Sequence, residues 1–261
     1  ATPERAAPGH TAELFGDIRA TVGVRVVNLV WRHLATMDGA LPWAWAAVKP
    51  LYVQGMVDSA AVRFRKDMVL PRLGSLAGDE PPTVDAVLAS YDHSNTVNLF
   101  ALGALAAWLR GDTARSGRPE SGPRLPAPDV ALPKLADQGS VAPETWQCVV
   151  RLNRYGDRMQ PLILASMYRH LAHAPTFLAR VEKALTPVQA DGSLDRAIAS
   201  KAAGARERAA LLAEAIEAQR PRLAAEIEKS LQSFIDHAIG KMVTICRAIR
   251  LARDDRRASE G

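Results

Sequence analysis

Tyr91, Asn95 and Asn98 stand at i, i+4 and i+7, a spacing that puts one phenol and two amides on a single helical stripe. Asn28 and Trp31 lie on an earlier stretch, and Tyr168 on a later one, adding an amide, an indole and a second phenol. Amides are costly to bury without partners, and these sit among leucine and valine. Either they satisfy backbone groups between two halves of the molecule, or they line a wet pocket for a small anion or polar ligand. The nearby proton carriers are Asp92 and His93, one and two residues beyond Tyr91, and Glu182, at the edge of the apolar face of Phe177, Leu178, Val181 and Leu185. A carboxylate facing an apolar pocket gains proton affinity and can act as a general base. The plain alternative is that each is an ordinary surface acid. His33 and His170 are single histidines at equivalent places; His33 has no ligating partner three or four residues away and His170 only His173, so no metal site is expected. An Arg-His pair bracing each half, for example through carbonyls at a helix end, accounts for them.

The elements that would position these residues occur twice. Trp31-Arg32-His33-Leu34-Ala35 is matched by Tyr168-Arg169-His170-Leu171-Ala172, 137 residues later. The register holds through Leu41 and Leu178, Pro50 and Pro187, Gly55 and Gly192, and Asp58 and Asp195. A period this long is a domain-sized duplication rather than a solenoid. The expectation is an all-α fold of two similar helical repeats forming an intramolecular pseudo-dimer: a first repeat over 1–111, a Pro-rich linker over 112–142 and a second repeat over 143–261. Periodicity predicts helices over 24–36, 41–54, 57–70 and 83–110, with Pro50 kinking or ending the second of these. The linker composition predicts extended, unpacked chain. In the second half the expected helices run from Trp146 to Tyr155, Pro161 to His173, Pro175 to Gln189, Ser193 to Gln219, and Pro221 to about Arg253.

Composition narrows the function. The chain has 261 residues, 48% apolar and 23% charged, enough for a substantial core. No apolar run spans a bilayer, and Ala1 to His10 lacks the pattern of a secretory leader. Two cysteines without a CxxC point to a reducing, cytoplasmic setting. The charge of +5 owes much to Arg247, Arg250, Arg253, Arg256 and Arg257, whose helical spacing without stacking aromatics reads as a solvated helix end rather than a nucleic-acid surface. Nucleotide-loop, zincin and nucleophile-elbow motifs are absent. The expected partner is a small carboxylic acid, with neither nucleic acid nor membrane, and with room for a homodimer.

The run Val27 to Thr36, then Gly39-Ala40-Leu41-Pro42-Trp43-Ala44-Trp45 and Lys49-Pro50-Leu51, resembles the group I 2-haloacid dehalogenases, as do the doubled Arg-His-Leu-Ala segments and the Pro-rich bridge. The likeness extends from about Glu13 to Arg250. It implies two helical repeats with the active site in a channel between them, and hydrolytic removal of halide from a 2-halocarboxylic acid with inversion, without metal or organic cofactor. An aspartate in the second repeat would activate the water. In this chain the matching place holds Met167-Tyr168, and no acid lies between Asp157 and Glu182. The resemblance makes Trp31, Asn28, Tyr91, Asn95, Asn98 and Tyr168 candidate substrate-binding residues, with Glu182 or Asp92 as a relocated base. The alternative from another class is a non-catalytic helical protein that binds a small carboxylate or a partner in the inter-repeat cleft. A more distant likeness to alkylhydroperoxidase-like domains lacks their CxxC and is set aside.

Overall fold

The computed structural model describes residues 3–113, 117, 119–126, 128, 131–156 and 163–254. Asp157, the expected helix start at Pro161, and Arg256 and Arg257 lie outside them. Among the described residues the regular structure is entirely helical. The helices are α1 (Gly9–Val22), α2 (Leu29–Leu34), α3 (Ala40–Val53), α4 (Met56–Lys66), α5 (Pro82–Arg110), α6 (Pro143–Leu152), α7 (Ser166–Leu171), α8 (Pro175–Ala190), α9 (Ser193–Ala213), α10 (Ala224–Ser233) and α11 (Gly240–Asp254). A π-helical segment, Phe234–Ile239, joins the last two.

Helix boundaries repeat with the sequence. Leu29–Leu34 and Ser166–Leu171 are displaced by 137 residues at both ends. Val53 and Ala190 end α3 and α8, and Met56 and Ser193 begin α4 and α9, at the same displacement. The turn glycines between them, Gly55 and Gly192, have φ of 67° and 74°.

Several expected helices are shorter. α2 begins only at Leu29, because Val24, Val26 and Val27 are β-branched and follow the left-handed Gly23. α4 stops at Lys66, ahead of Leu70-Pro71, where the residue before proline avoids helix. α9 stops at Ala213, short of Pro221. The long last helix is broken by the π-helical segment. Pro50, by contrast, does not end α3 early. It sits in the last turn with Ala46 exposed, so the carbonyl that loses its donor can turn to water.

The described residues divide into two compact units, neither continuous in sequence. Unit 1 comprises Ala1–Met68, His93–Asp129 and Ala202–Ile239, and unit 2 comprises Val69–Asp92, Val130–Lys201 and Gly240–Gly261. Helix α5 supplies both, changing unit between Asp92 and His93. The core of unit 1 includes Phe15, Ile18, Val30, Leu51, Phe64 and Phe100, and that of unit 2 Val87, Leu171, Phe177, Leu185, Leu194 and Ile249.

The described residues of the Pro-rich stretch are irregular but packed, correcting the expectation of loose chain. In unit 1 the Leu125 N–H donates to Asp58 Oδ1 at 3.0 Å, Arg124 Nε lies 3.2 Å from Asp58 Oδ2, and Arg63 pairs with Glu120. In unit 2 Arg169 Nε donates to the Ala136 carbonyl at 2.7 Å, and His173 Nε2 meets the Lys134 carbonyl at 2.7 Å. These contacts add to the apolar packing of Ala136, Leu132 and Val141 on the core of unit 2. The tightest approach is backbone on backbone: a Cβ at Gly55 would collide with the Gly122 carbonyl, and one at Gly122 with Ser59 Oγ. Gly55→Ala adds that collision to the strain of positive φ. It is expected to lower stability by about 2 kcal/mol or more, read from the urea midpoint. Gly39→Ala, with φ of 65° and open space around it, provides the control for φ strain alone.

Candidate substrate-binding site

Unit 1 gathers Trp31, Tyr52 and Asn98 around one amide oxygen. The Trp31 indole N–H donates to Asn98 Oδ1 at 2.8 Å, and the Tyr52 hydroxyl donates to the same atom at 3.0 Å. Asn98 Nδ2 donates one hydrogen to the Ser94 carbonyl at 2.7 Å, one turn back along α5. These partners fix which end of the amide is oxygen. All three side chains are essentially inaccessible. The aromatic wall continues as Trp45 meets Trp31 edge to face at 5.5 Å and Tyr52 at 5.7 Å. Trp45 turns its own N–H to Asp17 Oδ2 at 2.7 Å, where Lys49 also binds. Hydrogen bonds from Lys49 and then Trp45 hold the Asp17 carboxyl below its usual range.

Short α2 positions these groups. Asn28 stands at its N-cap but does not cap: its Nδ2 donates to Asn95 Oδ1 at 3.4 Å. Thus Asn28, Trp31, Asn95 and Asn98, all expected site residues, are brought together in unit 1. Tyr52 and Trp45 escaped sequence reading. Their seven-residue spacing on α3 was the available signal, masked by the expected break at Pro50. The burial of Tyr52, and secondarily the Asp58 charge, push its phenol well up, so it is a donor rather than a base. His93 is also in unit 1. Its Nε2 meets the Val22 carbonyl at 3.0 Å, and burial depresses its pKa.

The other predicted residues belong to unit 2. The Tyr91 hydroxyl meets His170 Nδ1 at 3.1 Å. Tyr168 is fully buried on α7. Asp92 is no surface acid: it is 1% exposed, and its Oδ2 accepts from Arg250 at 2.8 Å and Arg247 at 3.3 Å, both on α11. Arg253 pairs with Asp85, so three arginines of the basic helix end are met within the chain. Glu182 corrects the expectation of raised proton affinity. Arg151 binds both its oxygens, at 2.5 and 2.9 Å, and holds its pKa below the usual value.

The repeated histidines differ. His170 is buried, while His33 meets Ser230 Oγ at 3.4 Å and the Phe234 ring at 5.4 Å. Both cysteines are free and buried, and burial, then Glu182, pushes the Cys148 thiol up to about 12. Among the described residues no group of histidine, cysteine and acid side chains could hold a metal ion.

Solved structures share this fold. A D-2-haloacid dehalogenase mutant superposes with a TM-score of 0.75 at 17% identity, covering 96% of this chain and 94% of that one. A D-2-haloacid dehalogenase mutant in complex with D-2-CPA gives 0.68 at 17% identity, with 96% and 94% covered. D-2-haloacid dehalogenase with L-LA gives 0.67 at 18%, with 96% and 95% covered. Neither a family sequence model nor a curated protein sequence matches the chain. The fold is therefore of the haloacid dehalogenase type, as the sequence resemblance implied.

Two outcomes follow from this geometry. Asn98→Leu strands two buried donors and is expected to cost about 2–5 kcal/mol, whereas Asn98→Asp keeps the accepting oxygen and costs less; urea denaturation of both compares them. Burial, reinforced by His173 and Arg169, drives the His170 pKa down to about 4 from an ordinary 6.5. Below pH 6.5 the unfolded chain therefore takes up a proton that the folded chain refuses, and stability falls until about pH 4, by roughly 3 kcal/mol from this group. His170→Gln should flatten the profile of denaturation midpoint against pH across that window; equal slopes would show that His170 titrates normally.

Proposed function

We propose that this chain is a 2-haloacid dehalogenase-like hydrolase acting on a small 2-halocarboxylic acid. Water attacks the halogen-bearing carbon, the carbon–halogen bond breaks, and the products are a 2-hydroxy acid, a halide ion and a proton taken by a base. The observation that carries this reading is the buried, uncharged donor cluster on Asn98, in a fold whose solved neighbours are D-2-haloacid dehalogenases. The indole and phenol hydrogens are spent on Asn98 Oδ1 and orient that amide, and an amide hydrogen held in a water-poor place stabilises a departing halide or a carboxylate without reorganising. Asn98 uses only one of its two amide hydrogens on Ser94, so a donor remains for a ligand. No metal or organic cofactor enters this chemistry. Both candidate bases are ion-paired, Glu182 with Arg151 and Asp92 with Arg247 and Arg250, and of the two Asp92 is the buried one. The matched helix boundaries support the reading of a duplicated module, and two buried free thiols suit a reducing, cytoplasmic setting. No helix among the described residues is long and apolar enough to cross a membrane.

A second reading is favoured by one position. Where the resemblance puts the water-activating aspartate, the chain has Tyr168, whose burial pushes its phenol well up and keeps it protonated. That suits a protein that binds a small carboxylate without turning it over. Halide release from D- and L-2-chloropropionate decides between them. The hydrolase reading expects release by the wild type, loss of at least about a hundredfold in Asp92→Asn, as for removal of a general base, and near-normal release by Glu182→Gln. No release, with chloropropionate still raising the melting temperature, supports the binder. Neither release nor a thermal shift overturns both.

A further inference from the structure

Two ion-paired rungs tie α5 to α11 in unit 2. Arg253 grips Asp85 through Nε at 2.5 Å and Nη2 at 3.2 Å, and Arg250 reaches Asp92 through Nη1 at 2.8 Å. Asp85 and Asp92 are seven residues apart on α5, about 10 Å along its axis. Beside these rungs opens a cavity of about 350 Å³, inside the range of roughly 300–1,000 Å³ usual for small-molecule sites. Leu88 and Ala89, which lie between the two acids on α5, line it together with Ala77, Arg250 and Asp254. Its lip is fixed by the chain itself. Arg180 donates to the Ala77 carbonyl at 2.7 Å, Arg253 to the Gly78 carbonyl at 3.1 Å, and the Leu76 N–H to the Ala252 carbonyl at 2.9 Å. Walls already held in place need little ordering when a ligand enters.

The charge left over in this cavity is of both signs. Arg253 uses all three of its nitrogens, on Asp85 and on the Leu76 and Gly78 carbonyls. Arg250 uses only Nη1, and among the described residues nothing meets its Nε and Nη2. Those two nitrogens form the edge by which Arg253 holds Asp85 and Arg151 holds Glu182, a fork that matches the two oxygens of a carboxylate. Asp254, one turn beyond Arg250 on α11, is exposed and meets no partner among the described residues. Opposite charges four residues apart on a helix are neighbours and ordinarily pair; here Asp92 holds Arg250 instead. Asp254 also ends α11, where the negative end of the helix dipole favours a cation. One cavity is thus lined by an idle guanidinium edge, an idle carboxylate and aliphatic side chains.

We propose that this cavity binds a small aliphatic α-amino acid. Its carboxylate takes the Nε–Nη2 edge of Arg250, its ammonium lies against Asp254 at the end of α11, and its side chain covers Leu88, Ala89 and Ala77. The Arg250–Asp92 pair is kept, because it uses Nη1. A plain carboxylate would leave Asp254 idle and a plain amine would leave Arg250 idle; the zwitterion engages both. The proposal is independent of the hydrolase reading above, since a 2-halocarboxylic acid carries no ammonium group.

The test titrates the full chain with L-valine, 3-methylbutanoate and isobutylamine, followed by calorimetry. The wild type is expected to bind L-valine saturably and each singly charged analogue at least about tenfold more weakly, the size of one lost hydrogen bond to a charged group. Asp254→Asn is expected to weaken valine about tenfold, toward the affinity of 3-methylbutanoate. Arg250→Lys keeps a cation for Asp92 but has no fork, and is expected to weaken valine by a similar factor. Arg250 also holds a buried acid, so its variant can lose stability; Asp254 has no partner to lose, and Asp254→Asn decides the matter if Arg250→Lys fails to fold. Equal binding of valine and 3-methylbutanoate, valine binding indifferent to Asp254→Asn, or no binding of valine by the wild type would each overturn the proposal.

Discussion

One amide oxygen organises unit 1. Asn98 Oδ1 accepts from an indole on α2 and a phenol on α3 while its own nitrogen is tied to α5, so three helices are registered against one another at a single atom. A buried amide oxygen with two donors is satisfied, and each donor is satisfied by it; none of the three could be replaced by a hydrocarbon without stranding the others. The rings of Trp31, Trp45 and Tyr52 close around this point and keep water away. The same lack of water that makes the network expensive to break also strengthens any interaction with an anion brought beside it.

Unit 2 solves its polar problem differently. Its buried charge, Asp92, is met by two guanidiniums from α11, and its buried imidazole is kept neutral beside a phenol. Lys241, another buried cation, donates to the Asn153 carbonyl at 2.6 Å, while Asn153 Oδ1 accepts the Ala165 N–H at the entrance to α7. Each of these links joins segments distant in sequence.

The parts of the fold that follow from local rules were legible. The positive-φ glycines and the prolines in first helical turns set helix starts and stops that the coordinates reproduce at α3 and α8, and the doubled Arg-His-Leu-Ala segments located α2 and α7, though not their lengths. The stripe of Asn95 and Asn98 and the importance of Trp31 also came through, since an amide amid leucine needs a partner. Tyr52 did not, because Pro50 was read as kinking α3 or ending it early, which left the place of its last turn open. Asp92 and Glu182 were indistinguishable in sequence: both are acids on amphipathic helices, and only tertiary placement buries one between arginines and leaves the other clasped by Arg151. The Pro-rich stretch misled for the same reason. Its order comes from Asp58, Arg169 and a glycine-on-glycine approach, partners that composition does not disclose.

The chain changes unit five times, at 68/69, 92/93, 129/130, 201/202 and 239/240, and two of these changes fall inside α5 and α9. No single cut therefore releases either unit intact, and no contiguous fragment encodes one. Each must collect segments separated by scores of residues before its core exists, so ring closure over long stretches of polymer precedes the gain from burial, a topology that slows folding. A ribosome making this protein must synthesise the C-terminal helix before unit 2 can be completed at all.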